Sequence, residues 1–215
     1  MSLTLVIGNR NYSSWSLRPW LAMKQAGLAF DEVKISLRQP GTSARILQYS
    51  PSGRVPCLID GALTVWDSLA ICEYVSEQYC GGSLWPRDVS DRARARSVAA
   101  EMHSGFGALR THMSMDIRGR YPEQGAAALA RPDVAADVAR IRALWSECLA
   151  ASGGPFLFGG FSVADAFFAP VVTRFRTYAV PLDAPLARYA DAVLALPAMQ
   201  QWMADAAAEP ETVDY

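Results

Sequence analysis

The 215-residue sequence holds only two histidines and four cysteines, and its formal net charge is -1. That balance removes any electrostatic reason to expect nucleic acid or an anionic membrane surface as partner. Cys57, Cys72, Cys80 and Cys148 show no CxxC or metal-ligand spacing, so neither a zinc site nor a dithiol redox motif is expected. His103 and His112, within one predicted helix, would point to opposite sides and could not share a metal. No apolar run approaches the roughly 20 residues of a membrane span, and MSLTLVIGNRN has too short an apolar run and no basic leader for a signal peptide. There is no GxSxG elbow, and GFGALR (105–110), a near miss to GxGxxG, falls inside a predicted helix rather than after a strand. These absences predict a cytoplasmic protein with reduced thiols, no metal and no redox cofactor.

What is present is ordinary globular material: 51% hydrophobic and 19% charged residues, on a chain long enough for one large domain or two small ones. Leu3 to Ile7 reads as a buried strand before Gly-Asn. Leu17, Trp20, Leu21 and Leu28 fall near a helical stripe that Gly27 would stop, and Phe30 to Leu37 suggests a second strand. A β-α-β unit of about thirty residues favours a parallel pair. Val55 to Gly61 and Leu63 to Trp66 then form a hairpin across Asp-Gly, and Ile71, Tyr74, Val75 and Tyr79 stripe the next helix. Gly, Pro and polar residues mark 81–88 as a linker. Beyond it, helices are predicted over 89–117, 133–151, 162–178, 184–195 and 197–208. The expectation is a small α/β domain over residues 1–80 and an all-α domain over 89–215.

Two placements in PSGRVPCLIDGALTVWDSLAICEYV (51–75) look wasteful for stability alone. Pro56 heads a strand, where its missing N–H is tolerated; a cis Val55–Pro56 bond would instead turn the Val55 amide and carbonyl outward. Asp67 and Ser68 stand where a helix should begin, and capping needs only one of them. The free amides and positive dipole end there favour a carboxylate, while Asp67 could hold an adjacent ammonium. That combination suits an amino-acid head better than a phosphate, which Asp67 would repel.

The β-α-β unit, the Val-Pro before a hairpin, the acidic-Ser helix start and the all-helical second half together resemble the cytosolic glutathione transferases over nearly the whole chain. FSVADAFFAPVV (161–172), with Ser162 and Asp165 as an S-x-x-D capping box, resembles the start of a core helix in that family and is structural. The resemblance implies a thioredoxin-like first domain that binds glutathione, with Val55 before cis Pro56 pairing with the cysteinyl backbone. Asp67 and Ser68 would hold the γ-glutamyl head, and Arg54 is the candidate for the glycyl carboxylate. It also implies a homodimer, a small electrophilic and largely apolar second substrate, and glutathione as co-substrate rather than cofactor.

The reacting position of the family follows the first strand as Tyr, Ser or Cys. Here NRNYSSWSLRPW (9–20) offers Ser13, with Tyr12 and Ser14 as rivals. SSWSLR is similar to the zeta-class S-S-C-S-x-R signature of a bacterial, serine-type member, but Trp15 replaces the cysteine, which argues against a maleylacetoacetate-like isomerase. With Pro19 inside the helix, a start at Ser16 is expected, since an earlier start would lose the bond to Trp15. Ser13 would donate a hydrogen bond to the glutathione sulfur and favour the thiolate over a thiol of pKa about 8.5. The alternatives are a glutathione-dependent isomerase or peroxidase with the same thiolate, and a glutathione-binding protein without turnover.

Overall fold

The computed structural model describes residues 3–212. Strand β1 (Leu3–Ile7) alternates its side chains between two cores, as a period of two requires. Leu3, Leu5 and Ile7 join the main core, and Val6 joins a second, smaller one with Ile35, Ile46 and Cys57. Helix α1 (Ser14–Gln25) crosses to β2 (Phe30–Lys34), which pairs parallel with β1. The short helix α2 (Thr42–Leu47) brings Ile46 to the smaller core and so covers the second face of the sheet. Strands β3 (Cys57–Asp60) and β4 (Leu63–Trp66) form the hairpin, β3 antiparallel to β1, giving the order β2-β1-β3-β4. Helix α3 (Ser68–Cys80) returns beside α1. This is the thioredoxin-like arrangement.

Among the described residues seven helices follow: α4 (Val89–Ser104), α5 (Gly107–His112), α6 (Pro122–Leu129), α7 (Pro132–Ser152), α8 (Val163–Thr177), α9 (Ala184–Leu194) and α10 (Pro197–Ala208). Helix α8 is the axis of this half, with Asp165 closing the expected capping box with Ser162. It packs on α1, and the main core runs unbroken from Leu5 and Trp20 to Phe167, Phe168 and Trp202.

Several elements differ from the sequence reading. The segment 89–117 is broken: Phe106 adopts φ +59°, a left-handed conformation that ends one helix and begins another. His103 and His112 therefore sit on different helices. Helices α2 and α6 are additional to the sequence reading; at six and eight residues each is too short to show a repeated apolar stripe. Leu28 lies beyond α1, and β2 stops at Lys34.

The start of α1 also needs correction. Ser13, not Ser16, is the cap: its Oγ accepts from Ser16 N at 3.4 Å and its carbonyl from Leu17 N at 3.2 Å. Pro19 therefore lies inside the helix. Nine of the twelve residues of α1 are buried, so tertiary packing outweighs the single bond that proline removes.

Candidate active site

Two cavities open side by side where the first turn of α1 meets the sheet and helices α4, α5 and α8, and they share Trp15 and Val55. The larger, of 580 Å³, gathers Arg54, Val55, Pro56, Asp67 and Ser68, with His103 from α4 opposite. The Val55–Pro56 bond is cis. Asp67 caps α3, its Oδ1 accepting from Leu69 N at 2.8 Å and Ala70 N at 3.3 Å. Its backbone sits at φ +76° and ψ 134°, a conformation that costs an L residue about 1–3 kcal/mol and that tends to persist where function requires it. Its Oδ2 lies 3.2 Å from His103 Nε2; burial pulls the His103 pKa down although Asp67 pulls it up. The Ser68 Oγ is buried and has no hydrogen-bond partner among the described residues. A buried hydroxyl without a partner costs about 1–3 kcal/mol, and at a helix N-terminus it stands ready for a carboxylate. Arg54 is exposed at the rim.

The second cavity, of 390 Å³, is lined by Tyr12, Ser13 and Ser14 among others. Tyr12 Oη accepts from Arg118 Nη2 at 3.0 Å. Ser13 Oγ donates to Ser16 Oγ at 2.7 Å, and Ser16 Oγ accepts from Gly8 N at 3.1 Å. Ser14 Oγ accepts from Arg174 Nη2 at 3.4 Å. Leu37 and Met115 supply apolar wall, whereas Met113 belongs wholly to the core. Arginines that sequence reasoning did not single out also reach this place. Arg18 and Arg110 lie over the Trp15 ring at 4.2 and 4.9 Å. No local signal sets Arg18 in α1 or Arg174 in α8 apart from the other charged residues of those helices, Lys24, Asp165 and Arg176.

The loop carrying these hydroxyls is tied down by residues far along the chain. Glu209, almost fully buried, accepts from Arg10 N at 2.8 Å and Asn11 N at 3.1 Å. Glu209→Gln keeps one acceptor oxygen and presents an amide to the other loop N–H, so a loss of about 1–2 kcal/mol in denaturant unfolding is expected. An unchanged midpoint would show that the tie is idle.

Residues 12–78 match the family model described as "Glutathione S-transferase, N-terminal domain", and residues 92–205 match "Glutathione S-transferase, C-terminal domain". The chain is 31% identical to the maleylacetoacetate isomerase of Pseudomonas aeruginosa, over 94% of this chain and 95% of that protein. It is 46% identical to the dichloromethane dehalogenase of Methylorubrum extorquens, but over only 22% of this chain and 17% of that protein's length. In structure it is similar to a glutathione transferase homologue from Burkholderia crystallised with bound glutathione. The TM-score is 0.72 at 25% identity, covering 97% of this chain and all of that one.

Proposed function

The chain belongs to the glutathione S-transferase family, and on that premise we propose that it is a glutathione transferase whose first substrate lies across the two cavities. The observation that carries this reading is the unpartnered, buried Ser68 hydroxyl beside the strained Asp67 cap, in one cavity with Val55 and Pro56. Ser68 and the α3 N-terminus receive the γ-glutamyl carboxylate, and Asp67 receives its ammonium. Val55 pairs with the cysteinyl backbone, and Arg54 at the rim takes the glycyl carboxylate. The cysteinyl sulfur then falls toward the neighbouring cavity, at the N-terminus of α1.

There Ser13 favours the thiolate. The Ser13–Ser16 hydrogen bond can reverse direction, because hydroxyl protons rotate freely. With Gly8 N–H fixing Ser16, the Ser16 hydroxyl donates to Ser13, and Ser13 donates to sulfur; each donation strengthens the next. The thiolate attacks the electrophile, and no metal takes part. The relative in Pseudomonas favours a second reading, an isomerase using the same thiolate, which a maleyl substrate would reveal as turnover without loss of glutathione. Leu63, Trp66 and Tyr79 are exposed on β4 and α3, consistent with a homodimer, and a cytoplasmic location completes the proposal.

Isothermal calorimetry tests the glutathione site directly. Wild-type protein is expected to bind glutathione below millimolar concentration, and Ser68→Ala to weaken binding about 5- to 10-fold. Absence of binding at millimolar glutathione would remove both enzyme readings.

A further inference from the structure

We propose that His103 is a positioning residue that makes the γ-glutamyl end of the larger cavity sensitive to acid: a neutral imidazole leaves the Asp67 charge to a ligand ammonium, and a protonated one takes it away. The proposal rests on the reading of glutathione as first substrate and names a regulation of that same site.

His103 reaches the cavity from α4, in the helical half, while Asp67 stands at the start of α3 in the other half. The two oxygens of Asp67 have different tasks. Oδ1 accepts from Leu69 N and Ala70 N and so is occupied by the cap. Oδ2 is the oxygen left for a ligand, and it lies 3.2 Å from His103 Nε2. An ammonium and the imidazole therefore meet at one atom. The two ring nitrogens differ as well, since Nδ1 is buried with no hydrogen-bond partner among the described residues. A proton on Nε2 faces a carboxylate, whereas a second proton would sit on Nδ1, where no acceptor awaits it.

The ring is held by Trp15 of α1, edge-on with centroids 5.3 Å apart, and by Phe167 of α8 at 6.0 Å. Charged groups reach it from three elements: Asp67 from α3, Arg18 from α1 and Arg110 from α5, whose Nη2 also donates to the His103 carbonyl. Charges elsewhere on the neighbouring helices have partners of their own. Glu101 pairs with Arg140 and Glu73 with Arg96, Asp165 accepts from Leu157 N and Ser162 N, and Arg174 donates to the Met113 carbonyl. Burial lowers the His103 pKa from its usual 6.5; Asp67 raises it, and Arg18 and Arg110 lower it again. The imidazole is thus neutral at neutral pH, and Asp67 offers its charge to the ammonium. As pH falls below 6.5 the ring becomes a cation beside Oδ2, the carboxylate is offset, and the ammonium meets a like charge. Affinity is full above that range and lost below it.

The probe is S-methylglutathione, which has no thiol to ionise; its carboxyls titrate near 3.5 and its amine above about 7.5. By calorimetry the wild type is expected to bind it about three- to tenfold more weakly at about pH 5 than at about pH 7. In His103→Gln, which cannot titrate, the ratio of the two affinities is expected near one. Asp165 is present in both proteins, so its own titration cancels in that comparison. A flat wild-type profile overturns the proposal, as does a His103→Gln ratio equal to that of the wild type.

Should His103→Gln fail to fold, proton NMR of His112→Gln decides, because His112 is exposed and its loss leaves His103 the only histidine. Linkage is reciprocal, so S-methylglutathione is expected to lower the His103 pKa by about half to one unit; an unmoved titration overturns the proposal. If neither glutathione nor its S-methyl form binds at about pH 7, the transferase reading falls and this inference with it. If both bind but acid leaves the affinity unchanged, only the inference falls.

Discussion

Ser13→Ala is expected to lower kcat/KM for conjugation at neutral pH about 10- to 100-fold, the equivalent of losing a hydrogen bond to a charged group. On the proposed reading the effect arises from the ionisation of bound glutathione. A donated hydrogen bond stabilises only the thiolate, so removing it raises the bound thiol pKa by about one to two units. The rate–pH profile should shift upward by the same interval, with activity recovering in alkaline buffer where the thiol ionises unaided. Thiolate absorbance of the binary complex measures that pKa directly. Alanine also removes the cap of α1 and with it about 1 kcal/mol of stability, which thermal unfolding separates from the loss of rate. A bound-thiol pKa unchanged in Ser13→Ala but raised in Ser14→Ala would transfer the role to Ser14, whose hydroxyl accepts from Arg174.

Asp165→Ala is expected to cost about 3–5 kcal/mol, a large part of the 5–15 kcal/mol by which a typical domain is stable. The Asp165 carboxylate is fully buried and accepts from Leu157 N at 3.0 Å, Ser162 N at 2.8 Å and Ser162 Oγ at 3.0 Å. Alanine strands all three donors, each at about 1–3 kcal/mol. They lie at the head of α8, in which fourteen of fifteen residues are buried, so the damage cannot be confined to the surface.

The same residue makes stability depend on pH. Burial pushes Asp165 up to about 6, against the hydrogen bonds that lower it, whereas an unfolded aspartate titrates near 3.9. A pKa raised on folding contributes stability that is fully present below about pH 4 and is lost as pH rises through about 6. The two-unit difference corresponds to about 3 kcal/mol. Denaturant unfolding of Asp165→Asn between pH 4 and 7 should lack that decline, and slopes identical to the wild type would refute the assignment.

Much of the larger cavity was legible because its marks are local. Val55–Pro56 before a hairpin and Asp67–Ser68 after it lie within fourteen residues, and a strand ending in a helix start carries its own signature of turn and cap. The expectation at α1 failed for the opposite reason. Pro19 is a strong local signal, but Ser13, Ser16 and Gly8 form a hydrogen-bonded set that spans the strand and the helix, and burial of Leu17, Trp20 and Leu21 holds the first turns together. The break at Phe106 was masked by the alanine- and arginine-rich segment before it, whose good helix propensity overrode the two flanking glycines, Gly105 and Gly107.

The strands, the hairpin, the paired polar residues at the start of α3 and the box at Ser162 and Asp165 were all readable along the chain, since periodicity and capping act over a few residues. Which charges gather around the Trp15 ring and the cavity beside it is set by long-range packing. Arg18, Arg110 and Arg174 come from three different helices, and nothing local distinguishes an arginine bound for solvent from one held against Trp15. Folding makes that distinction, because the electrostatic cost of a buried cation depends on which neighbours surround it.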